Sequence, residues 1–472
     1  MSEKITLFEG ESGLKKNRLG VMAIAFFVVA AAAPMAAFVG GSPVLFSIVG
    51  AATPLLYVIA ALLVALFAVG YLKMSRAIVN AGGFVAYISK GLGNKIAAGA
   101  AGIAIFTYMT LQVGLFAQYG VFAQGLVKTL TGLDWPPLVW IVITVALVTI
   151  LTIVGVDTSL KVLGTLIALE VLVVVILLIG FIANHGFGIF SFSNITIDPL
   201  FTPGFGIALL FAFLAFTTFE ATVVFAEEAR DPHKTVPRAM YLVIAFVGVF
   251  YFIATWATQG VVGVGNILDV ATKNPAGFIF DLATANVGDW LNMSMQILVV
   301  TSFIAMLLGV FNMFARYLFA LGRSGVLPKS LMKVNRKGSP TTASLVNAIV
   351  MTVILAAFLL AGADAWNVVF FWFSALGTVG FITILLVTSL AIVVYFIRSK
   401  TPGNPLVTFV APILSVIAFI YVAYLTAANF DILSGGSEVA RYLVLLMPVL
   451  FIVGLIIGFA RPKAISFENE NV

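Results

Sequence analysis

Two glutamates interrupt long apolar stretches of this sequence. Glu220 lies in FAFLAFTTFEATVVF (211–225), and Glu170 lies in LKVLGTLIALEVLVVV (160–175). An ionised carboxylate at the centre of a bilayer costs about 2.5–3.5 kcal/mol on insertion scales, and a medium of low dielectric favours the neutral form of an acid. Such a group is kept where it exchanges protons, holds a cation or makes a structural hydrogen bond. Each glutamate is therefore a candidate for proton coupling or for holding a substrate ammonium group.

Other polar and aromatic residues at similar depth can line the same cavity. Tyr108 and Gln112 are four residues apart and share one face of a helix, so both are predicted substrate contacts. Further candidates are Gln118, Thr301, Ser302 and Ser374. Phe213, Phe216 and Phe219 follow helical spacing, which is typical of an ordinary packing stripe and also suits a lid over a substrate. Each of these residues can equally be a helix-packing contact.

Two of the apolar stretches contain candidate breaks. In the first, AAAAPMAA (30–37), Pro34 lacks an N–H and clashes with the preceding turn. The small residues around it leave room for a ligand against the backbone, but they also suit close helix packing. In the stretch that contains Glu220, Thr217 and Thr218 are poor helix formers, yet 211–228 has no glycine or proline. The sequence permits a break there without requiring it.

The composition identifies a polytopic membrane protein. Of 472 residues, 62% are hydrophobic and 9% are charged, whereas a soluble domain has about 25% charged residues. Cysteine is absent and the two histidines are far apart, so we expect no disulfide, metal site or cofactor. Nucleophile–base pairs, phosphate-binding loops and repeated selectivity motifs are not visible, which argues against an enzyme, a primary pump and a channel.

Apolar segments of bilayer-spanning length predict twelve transmembrane helices. Their predicted bounds are 18–41, 50–72, 96–127, 137–156, 159–183, 204–228, 237–262, 291–322, 341–361, 366–397, 405–428 and 440–460. With both termini cytoplasmic, 22 of the 25 basic residues lie on the inner side, as the positive-inside rule requires. These basic residues are spread over many loops, so the expected partner is the lipid bilayer and not nucleic acid.

Three ordered blocks resemble the amino acid–polyamine–organocation (APC) superfamily. They are NAGGFVAYISKGLG (80–93), FEATVVFAEEARDPHKTVPRA (219–239) and NMFARYLFALGRSGVLPKSLMKVNRKGSPTTA (312–343). The resemblance implies an all-α membrane protein with a 5+5 inverted repeat (LeuT-like) and two further C-terminal helices. It divides the chain into a tail (1–17), a transport core (18–400, with repeats 18–183 and 204–400), helices 11–12 (401–460) and a tail (461–472), both tails cytoplasmic.

The resemblance also implies roles for individual residues. The backbone around Ala33, Pro34, Met35 and Ala36 is expected to meet the substrate carboxylate. Phe216, with its neighbours such as Thr217, is expected to meet the substrate side chain or to close the site. Glu220 falls where many relatives have an acid that is linked to pH response. The chain departs from the family in having AAAPMAA instead of a glycine-rich motif, and threonines instead of glycine in helix 6.

A further departure concerns helix 5. Many proton-coupled relatives place a lysine midway along this helix, and Glu170 falls at that position here. Glu170 can carry the proton, bind sodium or pair with a cationic substrate, and we favour the proton. The sequence thus predicts a secondary active transporter of amino acids or related amines in the inner (plasma) membrane, working by alternating access and coupled to protons. An amino acid, amine or polyamine exchanger and a sodium-coupled permease using Glu170 stay open as alternatives.

Overall fold

The computed structural model describes residues 20–77, 83–155, 160–224, 229–335, 338–399, 404–434 and 437–461. Within these ranges the chain is built from helices joined by turns and loops, and an isolated bridge pairs Val334 with Pro340. The predicted all-α membrane fold is confirmed. The predicted tails lie outside the described residues apart from Arg461, and the division into two repeats stays a prediction.

Eighteen α-helices are present in the described ranges. They are α1 (Val21–Ala32), α2 (Pro34–Val49), α3 (Thr53–Ala77), α4 (Gly83–Leu92), α5 (Asn94–Thr131), α6 (Pro137–Val154), α7 (Leu160–His185), α8 (Phe205–Leu214), α9 (Ala221–Val224), α10 (Pro232–Val262), α11 (Ile267–Lys273), α12 (Phe278–Asn286), α13 (Asp289–Arg323), α14 (Thr341–Leu360), α15 (Phe371–Ser399), α16 (Ala411–Ala428), α17 (Phe430–Ser434) and α18 (Glu438–Ala460). π-Helical turns, Ala365–Phe370 and Leu406–Val410, precede α15 and α16.

Ten helices in the described ranges are long and apolar enough to cross a bilayer. The number is eleven if the pair Phe192–Phe201 and Phe205–Leu214, bent by 116°, counts as one span. The count of twelve therefore stays a prediction. Most predicted bounds agree with the structure to within a few residues, but the first span, predicted to end at 41, continues as α2 to Val49. The first and sixth predicted spans are both divided.

The first span is divided at Ala33. This residue has φ 47° and ψ 72°, in the left-handed region, and is the one described non-glycine residue with positive φ. Its N–H closes a tight turn on the carbonyl of Ala30 at 3.1 Å. Pro34 then begins α2, where its missing N–H loses no hydrogen bond because the first N–H groups of a helix have no partner within it. The predicted break at Pro34 is confirmed.

The sixth span is divided between Leu214 and Ala221. Residues 215–220 form successive turns in place of regular helix. The hydroxyl of Thr217 donates to the carbonyl of Leu214 at 3.0 Å, and the hydroxyl of Thr222 donates to the carbonyl of Phe219 at 2.8 Å. Both carbonyls also accept the backbone N–H of the same threonine, at 3.3 and 3.2 Å, so the backbone here makes three-residue turns in place of regular helical bonds. The chain breaks where the sequence permitted it.

Candidate substrate-binding site

A cavity lies between the two helix breaks and holds about 550 Å³ of empty space, including its open mouth. Small residues at the first break form one side of it: Ala31, Ala32, Ala36, Ala37 and Gly41. The second break contributes Ala215, Thr217 and Thr218. The wall between them is largely aliphatic and aromatic: Leu115, Phe211, Leu214, Phe303, Met306, Val310 and Phe370. Tyr57 of α3 and Gln118 of α5 complete the lining.

None of the described residues that line this cavity is charged. Its polar side chains are two threonines, one tyrosine and one glutamine. An ammonium or carboxylate at the end of a substrate side chain would therefore be buried here without a partner, which costs several kcal/mol. A branched aliphatic or aromatic side chain would instead replace water against apolar walls. The cavity suits an apolar side chain.

Both breaks place backbone polar groups next to this cavity. The carbonyl oxygens of Ala215 and Thr217 accept no hydrogen bond from any described residue, and both residues line the cavity. On the opposite side, α2 begins at Pro34 and its first turn includes Ala36, which also lines the cavity. A helix N-terminus attracts an anion and free carbonyls attract a cation. The two breaks can therefore hold the two ends of a zwitterion.

Glu170 lies behind the first break and outside the cavity lining. The side chain is 4% exposed, and its Oε2 accepts a hydrogen bond from the backbone N–H of Met35 at 3.1 Å. The side chains of Ser302 in α13 and Tyr251 in α10 lie near this carboxylate. The hydroxyls of Ser302 and Tyr251 are buried without a hydrogen-bond partner among the described residues. Glu170 is thus held against the start of α2.

Glu220 lies at the end of the second break and is 6% exposed. It accepts a hydrogen bond from the hydroxyl of Tyr108. The ring of Tyr108 packs against that of Tyr317 with centroids 5.6 Å apart. Since Tyr108 precedes Leu115 by seven residues, it lies about 10 Å nearer the start of α5 than the cavity does. Neither Tyr108 nor Glu220 lines the cavity, and their contact lies on the side nearer the start of α5.

The remaining predicted site residues are distributed over several environments. Thr217 lines the cavity, whereas Phe216 is buried in the core and does not. Gln112 faces α14: its Oε1 accepts from Asn347 at 3.0 Å, and its Nε2 donates to the carbonyl of Tyr108 at 3.1 Å. Phe213, Phe216 and Phe219 are all buried within the bundle and absent from the cavity wall, so they pack as an ordinary stripe.

Gln118, a weaker candidate in the sequence, lines the cavity and donates to the carbonyl of Gly40 at 2.9 Å. The apolar wall residues Phe211, Phe303, Met306 and Phe370 were not found from the sequence. Nothing in a single sequence distinguishes them from the many other large apolar residues of spanning helices. Polar residues in apolar segments are recognisable by type, whereas apolar cavity walls become recognisable only when the helices are packed.

Comparisons with known proteins agree with this architecture. The family model described as amino acid permease matches residues 19–459. The chain is 30% identical over 176 residues to the branched-chain amino acid permease BcaP of Lactococcus lactis subsp. cremoris, a segment that covers 36% of each chain. It is 29% identical over 208 residues to the lysine-specific permease LysP of the same organism, covering 43% of this chain and 38% of that one. Each match thus spans well under half of the relative.

Proposed function

Because the chain belongs to the amino acid permease family, we propose that it is a secondary active transporter of neutral amino acids with apolar side chains. It works by alternating access and carries protons with its substrate. The observation that carries this proposal is the cavity between the two breaks, which is lined by the first turn of α2, by residues of the second break whose carbonyls are unpaired among the described residues, and by an uncharged, mainly apolar wall. All amino acids carry the same zwitterionic group, so the apolar cavity wall determines which side chain fits.

Charge distribution favours an apolar substrate over a cationic one. One matched relative is a branched-chain amino acid permease and another is a lysine-specific permease, so family resemblance alone leaves the choice open. Both buried glutamates lie outside the cavity lining. A lysine side chain in this cavity would have no carboxylate to pair with, whereas leucine, isoleucine or valine would lose no hydrogen bond.

Glu170 and Glu220 are the proposed proton-coupling residues, because both are buried carboxylates in contact with a helix break. The proposed orientation has both termini in the cytoplasm, supported by the distribution of basic residues. In this orientation the Glu220–Tyr108 contact lies on the cytoplasmic side of the cavity. The plasma membrane is the proposed location, and exchange of substrates remains compatible with the same site.

Uptake into proteoliposomes tests the proposal. We expect labelled leucine to enter faster with an inward proton gradient, with sodium having no effect, while lysine, glutamate and putrescine enter slowly. Leu115→Ala, which removes a cavity wall residue, should raise the KM for leucine about tenfold. Leu130→Ala is the matched control, since Leu130 is on the same helix but 56% exposed and away from the cavity. Rapid lysine uptake without leucine uptake would contradict the proposed substrate class.

A further inference from the structure

Glu170 accepts a hydrogen bond from the backbone N–H of Met35, next to Ala36, which lines the cavity. We propose that Glu170 is an internal anion that holds the N-terminus of α2 in the empty transporter and must take up a proton before a substrate carboxylate can bind there. This inference deepens the proposed function and rests on it. In this inference, the arrival of the substrate carboxylate causes Glu170 to take up a proton, even without a proton gradient across the membrane.

The geometry at the start of α2 leads to this assignment. Pro34 has no N–H, and the N–H of Met35 is already directed at Glu170 Oε2 at 3.1 Å. The next residue, Ala36, lines the cavity. Successive residues of a helix rise by about 1.5 Å, so an anion bound at Ala36 and the carboxylate of Glu170 would share one helix turn. Both would be drawn there by the same helix dipole.

Among the described residues, Glu170 has no positively charged neighbour that would allow two anions to coexist. The helices α1 and α2 have no ionisable side chain at all. The groups that face Glu170 from other elements are the Tyr251 hydroxyl of α10, next to Tyr57 of α3, and the Ser302 hydroxyl of α13. No described Lys, Arg or His pairs with it. Two carboxylates at such a site cannot both remain ionised, so one takes a proton.

The substrate carboxylate stays ionised, because the N-terminus of α2 stabilises its negative charge. Glu170 takes up one proton from solution and becomes neutral. The substrate carboxylate is then the anion bound at the N-terminus of α2. The substrate ammonium is held at the second break by the carbonyls of Ala215 and Thr217. The loaded transporter thus carries one zwitterion and one proton. Binding therefore takes up protons and should strengthen as pH falls.

Binding to the purified protein in detergent tests this inference without any gradient. Leucine is added in weakly buffered solution containing a pH indicator, and bound leucine is measured in parallel with a radiolabel. Wild-type protein should take up close to one proton per leucine on the alkaline side, where its Kd for leucine should rise about tenfold per pH unit. Glu170→Gln, whose amide oxygen still accepts from Met35, should bind leucine with no proton uptake and a Kd that does not vary between about pH 5 and 9.

Two comparisons separate the possible failures. Glu438→Gln removes an exposed carboxylate at the start of α18, outside the cavity lining, and should keep proton uptake on binding. 3-Methylbutylamine, which is leucine without its carboxylate, should cause no proton uptake. Proton uptake that persists in Glu170→Gln, or disappears in Glu438→Gln, would overturn the inference, as would leucine binding to wild type without proton uptake. If wild type binds no leucine at all, the proposed function itself fails.

Discussion

Single residues set the shape of the first break, and Ala33 is the clearest case. It adopts the left-handed region at φ 47°, where a Cβ atom is crowded by the following carbonyl and costs about 1–2 kcal/mol. Glycine avoids this cost. The surrounding residues, with Pro34 next in the chain and Glu170 bound to Met35, hold Ala33 in this conformation.

We predict that Ala33→Gly leaves the apparent melting temperature unchanged or raises it, because the strain at this position disappears. The control is Ala30→Gly, the same substitution three residues earlier in regular helix α1, which should destabilise the protein by about 0.5–1 kcal/mol. Intrinsic tryptophan fluorescence during heating in detergent gives both values. An equal loss of stability in the two variants would show that the conformation of Ala33 is not strained.

Residue-level chemistry could be predicted from the sequence only where the residue type is unusual for its surroundings. Pro34, Glu170 and Glu220 are such residues, and the structure places each of them at a helix break. The partner of Gln112 could not be predicted, because Asn347 is 235 residues away and the two side chains meet only when α14 packs beside α5. The cavity walls are chemically ordinary and need the tertiary structure.

At the level of elements, α5 is the helix around which the others are arranged. Most of its length from Ala97 to Ala123 is buried. Glycines let neighbouring backbones approach: a Cβ atom at Gly102 would lie 2.2 Å from the carbonyl oxygen of Leu450 in α18, and one at Gly454 would lie 2.2 Å from the carbonyl oxygen of Ala98. Such contacts are how helices associate inside a bilayer, where the hydrophobic effect provides no attraction between them.

Gly102→Ala should therefore force α5 and α18 apart and lower the stability by about 1–3 kcal/mol. Gly125→Ala, on the same helix, is the matched control, because an added Cβ there meets nothing within 4 Å. The higher helix propensity of alanine should stabilise this variant slightly. Thermal unfolding in detergent measures both. If Gly102→Ala is as stable as wild type, α18 is not held by this close contact.

Element bounds were predictable where proline or glycine ends a helix, and unpredictable where tertiary structure decides. Helix α6 begins at Pro137, as predicted, and ends within two residues of the predicted bound. The break in the sixth span contains neither proline nor glycine. Within it, Thr217 and Thr222 donate their hydroxyls to backbone carbonyls three residues earlier, and Glu220 accepts the hydroxyl of Tyr108 on α5. Only the last of these partners is distant in sequence.

For the molecule as a whole, two side-chain contacts lie on either side of the cavity along α5. Towards the end of α5, the ring of Phe122 stacks on Phe303 with centroids 5.5 Å apart, and Trp366 packs edge-on against Phe122 at 5.8 Å. Towards the start of α5, Glu220 receives the hydroxyl of Tyr108. In the proposed alternating access, the contacts on the two sides of the cavity would open one at a time. A variant that weakens the contact on one side should therefore expose the cavity to the solution on that side.

Tyr108→Phe removes the hydroxyl that donates to Glu220 while keeping the ring that packs on Tyr317. We expect it to open the side proposed to be cytoplasmic, because a buried carboxylate without its donor is stabilised by water entering around it.

The chain has no cysteine, so a single Thr217→Cys substitution in the cavity reports access to an impermeant maleimide. In inside-out vesicles, labelling should be several-fold faster with Tyr108→Phe, and leucine should slow it. Tyr119→Phe, the same change on the same helix at a hydroxyl that accepts from Thr144, should leave the rate from this side as it is. Equal labelling in all three backgrounds would mean that the Tyr108–Glu220 hydrogen bond does not close the cytoplasmic path.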